Sequence, residues 1–325
     1  MAAMNHLIII TTFLLILVIF FFFNTSNSIK LPSTIPIFGD STVDTSNNNY
    51  IKTLAKGNYL PYGQDFPDRP PFLDPDLSDD ELLSGVSFAS DGSGLDDLAT
   101  VASKAIPISK QIKLFRDYIR RIKGIVVWFY FSAATNDFII NFYDIPIRRL
   151  EFTVSGYQDF LLDKLQSFVK DLYELGCRTV IIVGLPPIGC LPIQMTLKFE
   201  NPLNRKCLKD QNSDAQSYNH KLSKLLNQLQ PLLPCSKIVF ANGYQPLIDM
   251  VDHPHKYRIV ETKRGCCGSG LIEIVYLCNP TTPTYGKPSQ FLFWDSIHPT
   301  QSAYKFLTDY MEIEILPKLS FDQSR

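Results

Sequence analysis

Between Tyr157 and Leu175 the residues Leu161, Leu165, Phe168, Leu172 and Leu175 recur at steps of four and three, laying one apolar stripe along a helix that Gly176 can close. The run Thr179-Val180-Ile181-Ile182-Val183 follows at once. It is β-branched throughout, as a strand buried on both faces would be, and Gly184-Leu185-Pro186-Pro187 ends it. A helix feeding directly into a doubly buried strand is the building block of a parallel sheet with helices on its faces. The alternation repeats, with Tyr218, Leu222, Leu225 and Leu229 marking a second helix and Lys237-Ile238-Val239-Phe240 a second strand. Ile35 to Phe38 and Ile125 to Phe131 are two further strand candidates. Ala303, Phe306, Leu307 and Tyr310 mark a last helix, for which Thr300 is a suitable N-cap. The pattern predicts an α/β fold without internal repeats.

Composition narrows the partners. The chain has 31 basic and 32 acidic residues, a formal net charge of -1, so no global field draws it to nucleic acid or to an anionic membrane. From Leu7 to Phe23 it is almost wholly apolar, and the small polar stretch Asn24 to Ser28 follows. This reads as a secretory signal over residues 1–28, leaving no stable membrane insertion once it is cleaved; the rival reading is an uncleaved anchor. The Asn24-Thr25-Ser26 sequon falls inside that segment. Seven cysteines in an exported chain, with no Cys-x-x-Cys pair, favour disulfides over zinc, and the odd count leaves at least one thiol outside any intrachain bridge.

In open α/β sheets ligands bind beyond the carboxyl ends of the strands. Gly39-Asp40-Ser41 and Ala134-Thr135-Asn136-Asp137 sit at two such ends. An alcohol is a poor nucleophile near neutral pH, so a catalytic serine needs a base, and the base needs a partner that fixes its tautomer. Trp294-Asp295-Ser296-Ile297-His298 places a carboxylate three residues before an imidazole, close enough for Asp295 to hold Nδ1 while Nε2 points outward to Ser41. Acyl transfer also needs donors for an oxyanion. The Ser41 amide, the loop Ala89-Ser90-Asp91-Gly92-Ser93-Gly94 and the Asn136 side chain are the candidates. Singly each signal is weak, since Gly-Asp-Ser is also an ordinary turn and Asn136-Asp137 could equally cap the next helix. His253 and His255 flank Pro254 in what reads as an exposed turn without a third metal ligand, and His220 reads as a solvated helix residue.

Taken in order, these pieces resemble the plant branch of the GDSL esterase/lipase family, also called SGNH hydrolases. FGDSTVDTSNNN is similar to its first block, GVSFASDGSG to its second, TNDF to its third and FWDSIHPT to its last, with VGLPPIGCLP and GCCGSGLIE as further plant-type stretches. The resemblance implies a single domain over 29–325, a three-layer α/β/α sandwich of flavodoxin-like type on a parallel sheet. It implies a triad of Ser41, Asp295 and His298, and an oxyanion hole of Ser41, Gly92 and Asn136, with Gly94 as the alternative to Gly92. It also implies a small-molecule or lipid carboxylic ester as substrate, no metal or other cofactor, and export to the extracellular space or cell wall. A non-catalytic lipid- or carbohydrate-binding relative and an acyltransferase are the other readings. Ser46 stands where the family usually has Gly, Asp91 where it has Gly or Ala, and Ala134 where it has Gly. Family segments are missing near 68–71 and 124–126, and Tyr285 lies near where relatives carry a Cys. If position 134 needs a positive φ, Ala there is strained.

Overall fold

The computed structural model describes residues 35–62, 71–122, 128–198 and 205–319. The signal reading for 1–28 lies outside the described residues, and so do 68–70 and 124–126.

Four parallel strands lie side by side in chain order: β1 (Ile37–Gly39), β2 (Trp128–Ser132), β3 (Thr179–Val183) and β4 (Lys237–Ala241). β3 has the bounds expected of its β-branched run. Beyond β1 the chain around Val86 to Ser90 runs parallel to it, with Ile37 N–H donating to Val86 O at 3.1 Å, Phe88 N–H to Ile37 O at 2.8 Å and Ser90 N–H to Gly39 O at 3.1 Å. Counting that segment, the spatial order is 2-1-3-4-5 with every strand parallel, and the order in which strands are added reverses beside β1, the switch point where doubly wound sheets bind ligands. β5 (Glu261–Gly265) and β6 (Phe291–Phe293) form a separate parallel pair.

Helices cover both faces. On one, α1 (Ile108–Ile122), α2 (Val154–Glu174) and α3 (Lys209–Leu229) pack in succession; α4 (Tyr244–Asp252) and α5 (Gln301–Leu319) pack together as a second group. The strand pleat sorts the side chains accordingly. Phe38 in β1 packs its ring against Phe88, Phe115 of α1, Phe129 and Phe168 of α2 at centroid distances of 5.1 to 5.9 Å. Its neighbour Ile37 lines a cavity of about 630 Å³ together with Tyr130 and Val183 of the sheet, Leu247 of α4 and Leu307 of α5. Leu161, Leu165, Phe168 and Leu172 are buried on α2 as their spacing predicts, and the chain leaves the helix through Gly176 at φ 98°, with Cys177 N–H donating to Leu172 O at 3.0 Å. On α3, Tyr218, Leu222 and Leu229 are buried as expected, with Leu226 buried and Leu225 only half-buried. Thr300 Oγ1 accepts the Ala303 amide at 3.3 Å, the cap expected for the last helix.

Two departures from the family pattern fall on left-handed backbone. Ser46 has φ 97° and buried Ala134 has φ 92°, a region where a Cβ costs on the order of 1–3 kcal/mol. Ala134→Gly is therefore expected to stabilise the fold by about 1 kcal/mol, after allowing for the greater freedom of glycine in the unfolded chain, raising Tm by ~2–4 °C. Thermal unfolding reads this directly; a lower Tm would refute the strain.

Disulfides join Cys190 to Cys207 and Cys267 to Cys278. Cys177 is buried and Cys235 exposed, and neither is bridged. The Sγ of Cys266 approaches Trp294 O at 3.4 Å, while the Tyr285 amide donates to Cys266 O at 3.0 Å, which places Tyr285 beside that cysteine.

Candidate active site

The loop that leaves β6 is closed by Trp294 N–H donating to His298 O at 2.7 Å, and inside it Asp295 is fully buried. Asp295 Oδ1 accepts the amides of Ile297 at 2.8 Å and His298 at 2.7 Å. Its other oxygen, Oδ2, meets His298 Nδ1 at 2.7 Å. A carboxylate can only accept, so the neutral imidazole keeps its proton on Nδ1 and leaves the lone pair on Nε2. Oδ2 also accepts the Tyr62 hydroxyl at 2.7 Å, and the Tyr62 oxygen in turn accepts the Val275 amide at 2.9 Å. Tyr62 escaped the sequence reading because its partner lies 233 residues away.

Ser41 follows β1 on a turn built by Asp40. The buried Asp40 Oδ1 accepts both the amide of Thr42, at 3.1 Å, and its hydroxyl, at 2.7 Å, which turns the chain and leaves Ser41 half-buried. Gly39 is obligatory here: a Cβ on it would lie 1.9 Å from Ser132 O on β2. Gln111 of α1, wholly buried, clamps this peptide, its Oε1 accepting Gly39 N–H at 3.0 Å and its Nε2 donating to Gly39 O at 2.9 Å. The same Nε2 reaches Ser93 Oγ at 3.3 Å, so one side chain joins the serine turn to the glycine loop.

Asn136 follows β2 and precedes a π-helix over Asp137–Asp144, which its side chain does not cap. Instead Asn136 Nδ2 donates to Ser93 O at 2.8 Å, between Gly92 and Gly94. Asp137 fastens the loop from the other side by accepting the amides of Leu95 and Asp96, both at 2.8 Å. Asn47 and Asn48 hold the front of the loop: Asn47 Nδ2 donates to Ser87 O and Ala89 O, and Asn48 Nδ2 to Asp91 O. These asparagines lie in the first resembling block, but their role shows only in the folded chain.

A family model described as GDSL-like Lipase/Acylhydrolase matches residues 35–311. The Arabidopsis thaliana protein GDSL esterase/lipase At2g30310 is 47% identical over 320 residues, covering 86% of this chain and 89% of its own length. GDSL esterase/lipase At2g24560, also from Arabidopsis thaliana, is 46% identical over 325 residues, covering 88% and 89%. The chain belongs to the GDSL lipase/acylhydrolase family. It is accordingly a hydrolase of the esterase/lipase type, acting on small-molecule esters. In this GDSL hydrolase Thr42 holds the place of the Leu in the family name, and its hydroxyl lies 3.0 Å from Ser132 Oγ.

The electrostatics of this GDSL site gather on His298. Burial opposes a charged imidazole, but the carboxylates of Asp295, Asp91 and Asp40 outweigh it and push the His298 pKa up to about 9. Burial would raise Asp295, yet the adjacent imidazole and its hydrogen bonds hold the carboxyl below its usual range. Burial pushes Asp40 and Asp91 up to about 6 each. Nε2 of His298 is shielded from solvent and bonds no acceptor or donor among the described residues, Ser41 Oγ included. Asp91 thus adds negative charge beside His298. Asp91→Ala is expected to lower the His298 pKa and move the acid limb of kcat/KM to lower pH by about half a unit. A pH profile on a soluble ester checks it, and an upward or absent shift would contradict it.

His220, His253 and His255 are all exposed. Among the described residues no group of three or more His, Cys, Asp or Glu is placed to hold a metal, and no helix is long and apolar enough to cross a membrane.

Proposed function

We propose that this protein is a secreted carboxylic ester hydrolase working through an acyl-enzyme on Ser41. His298 Nε2 takes the Ser41 proton as Oγ bonds to the acyl carbon, and the resulting imidazolium returns that proton to the departing alcohol. Water, deprotonated by the same nitrogen, then releases the acid and restores Ser41. The observation that carries this reading is the 2.7 Å contact from Asp295 Oδ2 to His298 Nδ1, which orients the ring and leaves Nε2 shielded, basic and without a partner.

The oxyanion is assigned to the amides of Ser41 and Gly92 and to Asn136. Nδ2 of Asn136 has two protons, and only one is given to Ser93 O. Gly94 packs its α-carbon on the Asp137 carboxylate and serves to anchor the loop. An aliphatic acyl portion suits the cavity between the sheet and the α4/α5 group, because its lining includes Thr42 beside Ser41, Thr135 beside Asn136, and Ile297 and Pro299 on either side of His298. Export follows from the leading apolar segment.

A fluorophosphonate probe tests the reading: it should label Ser41 stoichiometrically and abolish hydrolysis of p-nitrophenyl esters. Absence of labelling in folded protein would favour a non-catalytic binding role. Transfer of the acyl group to an added alcohol in preference to water would make the protein an acyltransferase with the same residues.

A further inference from the structure

Tyr62 touches neither substrate nor Ser41 in the chemistry proposed above, yet its hydroxyl lies 2.7 Å from the carboxylate oxygen that faces His298. Its environment fixes the direction of that bond. The Tyr62 oxygen already accepts the Val275 amide at 2.9 Å, so its single proton goes to Asp295. Burial and the nearby Asp295 and Asp91 charges push the phenol well above its ordinary range, so it remains a donor throughout the working pH.

The donor to Tyr62 comes from strained backbone. Val275 has φ 49°, a left-handed conformation that a β-branched side chain resists. Such outliers persist where the surroundings over-determine them, and they cluster at functional sites. Val275 is held between Cys278, whose amide donates to its carbonyl at 2.9 Å and whose sulfur is bridged to Cys267, and Glu273, whose carbonyl accepts the amide of Ser296 inside the catalytic loop at 2.8 Å. The loop carrying Val275 is therefore fastened to the loop carrying Asp295 and His298.

We infer that Tyr62 is a positioning residue of this hydrolase: its hydroxyl, held by the Val275 amide, shares Asp295 Oδ2 with His298 and so sets how firmly that carboxylate grips the imidazolium. The inference rests on the triad proposed above. A hydrogen bond donated to a carboxylate withdraws charge from it, and here the withdrawn charge is what stabilises His298 when protonated. The other groups acting on His298, Asp91 and Asp40, are unchanged by altering Tyr62, as is Tyr304, whose phenol lies near Asp295 and Asp40.

Two near-isosteric changes move the system in opposite directions. Tyr62→Phe deletes the donor, leaves the full carboxylate charge to His298 and should move the acid limb of kcat/KM upward by about half a pH unit, roughly a threefold loss of activity below the limb. Replacing Tyr62 with 3-fluorotyrosine strengthens the donor and should move the same limb downward. Opposed shifts, with fluorophosphonate labelling of Ser41 intact in both proteins, support the role. An unmoved limb, shifts of the same sign, or a loss equal at every pH would overturn it and leave Tyr62 a structural contact. Failure of Ser41 to label in the unaltered protein would instead remove the triad reading, so the two failures are told apart.

Discussion

Ser41→Ala is expected to lower kcat for a p-nitrophenyl ester by about 10⁴–10⁶-fold while the protein stays folded. The size follows from what is lost. Without Oγ no acyl-enzyme can form, and His298 can at most direct water across a site arranged for a serine turn. Residual catalysis would come from the oxyanion donors and binding alone, since the Gly39 clamp and the Asn136 contact to Ser93 do not involve the serine hydroxyl. Ser41 is half-buried and its side chain makes no hydrogen bond among the described residues, so removing one oxygen should leave Tm within a degree or so. Activity near that of the unaltered protein would refute the assignment.

Asp295→Asn should cost about 10⁴-fold in kcat with little change in KM, through the proton on the ring rather than through shape. The two amides that Asp295 Oδ1 accepts, from Ile297 and His298, will keep the carbonyl oxygen of the new side chain. Its NH₂ must then face His298 Nδ1. An NH₂ group donates, so Nδ1 becomes the acceptor and the ring proton moves to Nε2, the nitrogen needed as base. Tyr62 loses its acceptor at the same stroke. The check is kcat against pH together with the melting temperature. A variant that unfolds rather than one that is folded and slow would show Asp295 to be structural first, as Asp295→Ala should be, because that change strands two part-buried amides.

How much of this was legible in the sequence depended on range. β3 and α2 could be read to within a few residues because each is specified by its own burial pattern: both faces for Thr179–Val183, one stripe for Val154–Glu174. The extended segment beside β1 was not read as a strand, since it is short and joined to Ile37 by few bonds. Asp295 and His298 were legible because three residues separate them. Asn136 became legible only through its place in a series of blocks, and the structure replaces its capping alternative with a bond to Ser93. Tyr62 and Gln111 left no mark, being ordinary residues whose partners lie far along the chain. Ala134 is an intermediate case. The resemblance marks it as unusual, and only the backbone angle of 92° says why.

The clamp by Gln111 bears on how freely this chain can vary in length. The Gly39 peptide is gripped at both its N–H and its C=O by a side chain 72 positions away, on a helix of the opposite layer. A loop closed at two fixed posts feels changes in its contour only weakly, because closure entropy grows with the logarithm of length. In sequence, residues 63–70 lie between those posts. Changes of length between positions 39 and 111 should therefore leave the peptide that precedes Ser41 unturned. A lineage can thus change the length of this stretch while the turn that carries Ser41 stays in place.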